Sequence, residues 1–368
     1  MSSSYRNFIT LLILLAMPSA LWACLWDYDT LRQERSRFPT TLELITGKFL
    51  RHSKEFYEWR IQDRRAKLAG DPTNMAYLDD LTVAYQLTGQ HDLAIETATA
   101  QLEADRGRYE TLSNLGTVYI LGGDLEKGLL LIDEALEINP DAHFGRERYQ
   151  KWLVEYAIGQ HVDGELSFPM RHPLSSEPGD YSPGFAVFLK ERLGKAQLTD
   201  AEIHPAVKGI LGMMRFADYR NPLLLEALGD LLSDRSSNAQ RLAARCYLKA
   251  SHEVDDEAAK QSYRSLAEAA LHSQKGEDLQ RLEATFTAEL AEADTWYSWL
   301  RKKEIGWIQA GGDVDAEFDR LYREDPQVRY REGNWYFLIE WAVSLGLVGL
   351  GLFLFWRRAR SKMAKTSQ

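Results

Sequence analysis

The sequence predicts an all-α chain of stacked helical hairpins, and three observations predict it. Moving residues 78–103 forward by 34 sets Leu78 on Leu112, Leu81 on Leu115, Tyr85 on Tyr119, Gly89 on Gly123 and Leu102 on Leu136. Apolar residues elsewhere recur at helical spacing, and few segments alternate as strands do. A period of 34 accommodates two helices of about three to four turns and two short turns. Neither helix can bury its apolar stripe alone, so neighbouring hairpins must stack.

Taken in order, residues 1–23 have the layout of an export signal: one positive charge at Arg6, an apolar run from Phe8 to Met17, then small residues at Ser19, Ala20 and Ala23. About ten continuously apolar residues are too few to span a bilayer, so cleavage is expected, with an uncleaved anchor as the alternative. Leu21-Trp22-Ala23-Cys24 resembles a lipoprotein cleavage box. Cys24 and Cys246 are the two cysteines, so lipidation of Cys24, a Cys24–Cys246 disulfide, or a lone thiol at Cys246 are all open.

Residues 24–74 form an N-terminal helical segment. Phe38-Pro39-Thr40-Thr41 reads as a helix start with a hydroxyl cap and Glu43 in the first turn. Helical patterns follow over 42–51 and 56–68, and Gly70-Asp71-Pro72 stops the pair, as in a divergent repeat. Residues 32–67 carry ten Lys or Arg against five acids. A solvated helix face and a face set against a membrane or acidic partner explain this equally well.

Residues 75–158 carry the repeats. In the second copy, Leu112, Leu115, Gly116 and Tyr119 mark one helix face, Gly122-Gly123-Asp124 makes the turn, Leu129, Ile132, Ala135 and Leu136 mark the return helix, and Pro140 stops it. These residues resemble the tetratricopeptide repeat, with Gly116 and Ala135 as the close-approach positions, Tyr119 as the packing aromatic and Asn139-Pro140-Asp141 as the exit. The first copy departs from the pattern at Thr82 and Gln101. The resemblance implies a groove lined by the first helix of each repeat that receives an extended peptide or a helix. It places Asp79, Asp80 and Val83 in the first wall, Ser113, Asn114 and Thr117 in the second, and Phe144, Arg148 and Lys151 in the third. Asn114 and Arg148 match two positions of the family's clamp for C-terminal carboxylates, whereas Asp79, Val83 and Phe144 do not match the others.

Residues 159–184 break the pattern with Pro169, Pro173, Pro178 and Pro183, and mark a domain boundary. A second helical, repeat-like domain is expected over 185–334, with Leu225, Leu228, Gly229 and Leu232 facing Leu242, Ala243 and Tyr247. Residues 335–356 carry a single charge, Glu340, and read as a transmembrane helix with tryptophans at both ends. The tail 357–368 is basic and is expected to stay cytoplasmic, which orients the chain as a single-pass inner-membrane protein with its N-terminal domain periplasmic.

Composition and motifs narrow the function. A net charge of −10 makes nucleic acid an unsuitable partner. Eight scattered histidines show no metal-ligand spacing, and no Gly-x-Ser-x-Gly, phosphate loop or dinucleotide fingerprint is present. The expectation is therefore a non-enzymatic scaffold or adaptor with no catalytic residue, cofactor or metal, binding a protein or peptide partner in an envelope complex. An envelope hydrolase using carboxylates of the second helical domain, and a self-associating homo-oligomer, are the alternatives.

Overall fold

Thr40 opens the first helix as its spacing requires. Its hydroxyl accepts the Glu43 N–H at 3.2 Å, and the Glu43 carboxylate accepts the Thr40 N–H at 2.6 Å. The computed structural model describes residues 25–30, 37–141, 145–161, 166–171, 184–233, 235–271 and 278–324. Helix α1 spans Thr41–Thr46 and ends at Gly47, whose φ of +80° favours glycine and whose missing side chain makes room for the Tyr219 ring. The expected run to Arg51 is therefore cut short. After Ser53, whose hydroxyl accepts the Phe56 N–H at 3.3 Å, α2 covers Lys54–Leu68.

The repeats follow as α3 (Met75–Leu87) with α4 (His91–Ala104), and α5 (Tyr109–Leu121) with α6 (Leu125–Ile138). Each pair packs as a hairpin, and α4 packs on α5, so the hairpins stack in a manner compatible with a tetratricopeptide-like solenoid. Gly116 lets α5 and α6 touch: a Cβ there would lie 3.0 Å from the Gly128 carbonyl and 3.1 Å from the Ile132 side chain. Leu112 and Leu115 are almost fully buried, each contributing about 2 kcal/mol by removal from water.

Helix α7 (Arg146–Gly159) begins 37 residues after α5, whereas α5 begins 34 after α3. Beyond it come α8 (Phe185–Arg192), α9 (Asp200–Phe216), α10 (Pro222–Ser233), α11 (Ser237–Glu253), α12 (Glu257–Leu271), the long α13 (Leu279–Gln309) and α14 (Val314–Glu324). Helices α10 and α11 form another close hairpin, with the Tyr247 ring against Gly229. One apolar cluster runs from Leu44 and Ile45 through Ile132, Leu153, Phe185 and Tyr247 to Phe286, so the core continues across the pattern break at 159–184. The described residues contain helices and no strand.

The expected fold class needs one correction. Among the described residues no helix is long and apolar enough to cross a membrane. Helix α13 has the length, but charges such as Arg281, Glu289, Glu292 and Lys302 recur along it, and each would have to be desolvated in hydrocarbon. The transmembrane helix expected at 335–356 lies outside the described residues, as do residues 1–23 and Cys24. Over the described residues the fold class is thus all-helical, with no helix long and apolar enough to cross a membrane. Cys246 is a free thiol, completely buried in α11.

Candidate functional site

The expected groove between α3, α5 and their neighbours contains a segment of the chain itself. Residues Leu25–Asp27 have no regular secondary structure and lead into a helical conformation at 28–30. The Trp26 N–H donates to Asn114 Oδ1 at 2.6 Å, and Asn114 Nδ2 donates to the Trp26 carbonyl at 2.9 Å. One carboxamide thereby satisfies both backbone polar groups of one residue. Two residues on, the Tyr28 N–H donates to Asp80 Oδ1 at 2.8 Å. Leu25 completes an apolar cluster with Ile61, Leu81, Val83 and Val118.

Asp27 ties the turn together. Its Oδ1 accepts the backbone N–H groups of Asp29 and Thr30 at 3.0 and 3.1 Å and the Thr30 hydroxyl at 3.1 Å. Thr30 Oγ1 accepts the Asp27 N–H at 3.0 Å in return. This is the reciprocal arrangement that starts helices.

Beneath the segment lies a buried ion cluster. Arg60, with no exposed surface, meets Asp29 at 2.7 Å, Asp27 at 3.2 Å and Asp315 at 2.6 Å. Arg64 donates to Asp80 at 2.6 Å and to Asp315 at 2.7 Å. His52 bridges Asp29 at 3.0 Å and Glu304 at 2.6 Å, while its ring stacks on Phe56 at 3.5 Å. Burial alone would push the His52 pKa down, but Asp29 and Glu304 overcome it and raise it from 6.5 to about 9. Both ring nitrogens therefore donate. Burial likewise opposes ionisation of Asp29, and is outweighed by Arg60 and His52, which hold its carboxyl well below the usual range. At Asp27, burial and then the neighbouring Asp29 dominate, and its pKa rises to about 6.

The segment adds Asp27 and Asp29 to a site where His52, Arg60 and Arg64 also contact Asp63, Asp80, Glu304 and Asp315. A cavity of about 30 Å³ adjoins the segment, lined by Leu25, Asp27, Thr30, His52, Tyr57 and Arg215 among others. That is room for a water or two, far below the several hundred cubic ångströms of a small-molecule site.

The expected site residues fall into three groups. Asp80, Val83 and Asn114 touch the segment or pack with it. Asp79 faces elsewhere: Arg108 grips both its oxygens and Gln101 donates at 2.9 Å, joining α3 and α4 to the start of α5. Ser113 is buried in α5, and Thr117 accepts from Gln150 of α7 at 3.3 Å. In the third wall, Arg148 is exposed, and Lys151 pairs with Asp133, so neither joins Asn114. Phe144 lies outside the described residues. Arg146, Glu147 and Gln150 are the buried polar residues of α7 instead. The later onset of this helix accounts for the change in register.

Sequence reasoning missed Asp27, Asp29, His52, Arg60 and Arg64. A signal was present: Arg60 and Arg64 follow Phe56 at four-residue steps, so they share the stripe of α2 that carries a core aromatic.

A second pair of buried carboxylates occurs on α10. Glu226 accepts the backbone N–H groups of Met170 and Arg171 at 2.9 and 2.7 Å and the Tyr263 hydroxyl at 2.7 Å. Asp230 accepts the Phe185 N–H and the Tyr247 hydroxyl, each at 2.7 Å. Burial and the proximity of Asp230 raise the Glu226 pKa to about 8. Both carboxylates anchor neighbouring segments of the chain. Among the described residues no group of three His, Cys, Asp or Glu is placed to hold a metal ion. Compared with protein-family models, curated proteins and solved structures, the chain has no match.

Proposed function

We propose that this chain is a tetratricopeptide-type interaction scaffold, which holds an extended segment of a partner protein across the first helices of its hairpins. The observation that carries this reading is the double hydrogen bond from Asn114 to the Trp26 backbone. A carboxamide fixed at 0% exposure on a rigid helix reads a peptide backbone, whatever side chain it bears. The Gly116 close approach and the 34-residue onset of successive first helices support the family assignment. Commitment of Glu226 and Asp230 to backbone and tyrosine donors favours a scaffold over carboxylate catalysis.

The test is in-cell photocrosslinking from a reactive residue placed at exposed Arg148, with a second at exposed Trp299 as control. A defined adduct from position 148 that disappears in Asn114→Ala supports the scaffold. Equal adducts from both positions, indifferent to Asn114, would count against it.

A further inference from the structure

We propose that Leu25–Thr30 is a ligand bound in cis, and that the groove takes in its place a partner peptide with an apolar residue, a helix-capping residue and a carboxylate at alternate positions. This rests on the scaffold reading and names the partner's chemistry.

Each requirement comes from one contact of the present occupant. The first position must be apolar, because Leu25 is 2% exposed against Ile61, Leu81, Val83 and Val118. The second is read through its backbone N–H and carbonyl, by Asn114. The third must cap a turn, because the Asp27 carboxylate accepts two backbone N–H groups and the Thr30 hydroxyl; Asp, Asn, Ser and Thr do this. The fourth is again read through its N–H, by Asp80, and the side chain of its present occupant Tyr28 is 42% exposed. The fifth must be an acid, because Asp29 sits between Arg60 at 2.7 Å and His52 at 3.0 Å.

Two features make the occupant replaceable. The clamps engage backbone atoms, which any extended peptide offers equally well. Docking buries Asp27 beside Asp29, so an ionised Asp27 works against desolvation and like-charge repulsion. Covalent attachment offsets this, because a short tether holds a segment at an effective concentration in the millimolar range.

The experiment uses a fluorescent peptide of sequence Leu-Trp-Asp-Tyr-Asp-Thr and a control with Lys for the second Asp, titrated by anisotropy into the full-length chain. Asp27→Ala with Asp29→Ala weakens the resident segment; the freed groove should bind the peptide at least about tenfold more tightly than the wild-type chain, where the tethered segment competes. Adding Asn114→Ala should abolish that binding. Because the double variant can fail to fold, a second chain keeps residues 25–30 unchanged and carries a protease site in place of residues 31–36. After cleavage, excess labelled peptide should exchange in, and before cleavage it should not.

Binding of the lysine control as tightly as the acidic peptide would overturn the assigned pattern and leave the scaffold standing. A helical, cleaved chain that takes up neither peptide would overturn the cis-ligand itself. The in-cell adduct at position 148 is read independently of either result.

Discussion

Asn114 and Trp26 are 88 residues apart, yet a single side chain of one closes both backbone hydrogen bonds of the other. Replacing Asn114 by Ala leaves the Trp26 N–H and carbonyl half-buried without these partners. The variant should lose about 2 kcal/mol of stability, seen as a lower urea midpoint. Asn114→Asp should recover little, because a carboxylate accepts the N–H but faces the carbonyl with a second acceptor.

Arg60 neutralises three acids from both ends of the described chain. Arg60→Met keeps the volume of the stem and removes the charge, leaving Asp29 to His52, Asp315 to Arg64 and Asp27 without its cation. A loss on the order of 3–5 kcal/mol is expected, as for breaking one side of a buried ion pair. Arg60→Lys should rescue only in part, since one ammonium cannot reproduce the fork that reaches both Asp29 and Asp315. Thermal unfolding of the three proteins side by side checks the order.

Stability should fall as pH rises from mildly acid to alkaline. His52, which faces Asp29 and Glu304, moves from 6.5 to about 9 on folding; Asp27, which faces Asp29, Arg60 and Asp80, moves from 3.8 to about 6; Glu226, which faces Asp230 and Arg171, moves from 4.5 to about 8. Each binds its proton more tightly when folded. Its contribution is complete below the unfolded value and is lost as pH climbs through the folded one. For His52 alone the loss between about pH 6.5 and 9 is on the order of 3 kcal/mol. Asp29 and Asp315 have depressed values and act in the opposite sense, weakening the fold in stronger acid. Urea midpoints measured from pH 4 to 9 should decline on the alkaline side, and His52→Gln should flatten the upper part of that decline.

Gly116→Ala tests the hairpin contact. Its Cβ would sit 3.0 Å from a backbone oxygen that cannot swing away, so about 1–3 kcal/mol should be lost. Glu134→Ala, at an exposed position on the neighbouring helix, should change stability by less than about 0.5 kcal/mol. Calorimetry of both variants separates backbone crowding from a general sensitivity of α5 and α6.

The hairpins over 75–138 were legible because their packing repeats locally. Gly116, Ala135 and the leucines at helical spacing are dictated by neighbours a few turns away. The contents of the groove were not legible. Asp27 and Asp29 are two of 54 acidic residues, and nothing in a one-dimensional pattern tells a solvated carboxylate from one that meets Arg60 across 33 or 31 positions. The basic stretch 32–67 was assigned to a surface, and Arg60 and Arg64 are instead interior. Arg148 and Lys151 do not join Asn114, and α7 begins 37 residues after α5 where a fixed repeat expects 34.

Arg60 and Asp315 close their contact across 255 positions. On a ribosome, which releases a chain from its N-terminus onward, the arginine emerges long before its distal acid. Asp27 and Asp29 emerge before the arginine, but its third acid is missing until nearly all of the helical body has been synthesised. Contacts so remote slow the final step of folding, and a chain stalled or truncated before residue 315 should be a substrate for chaperones and proteases.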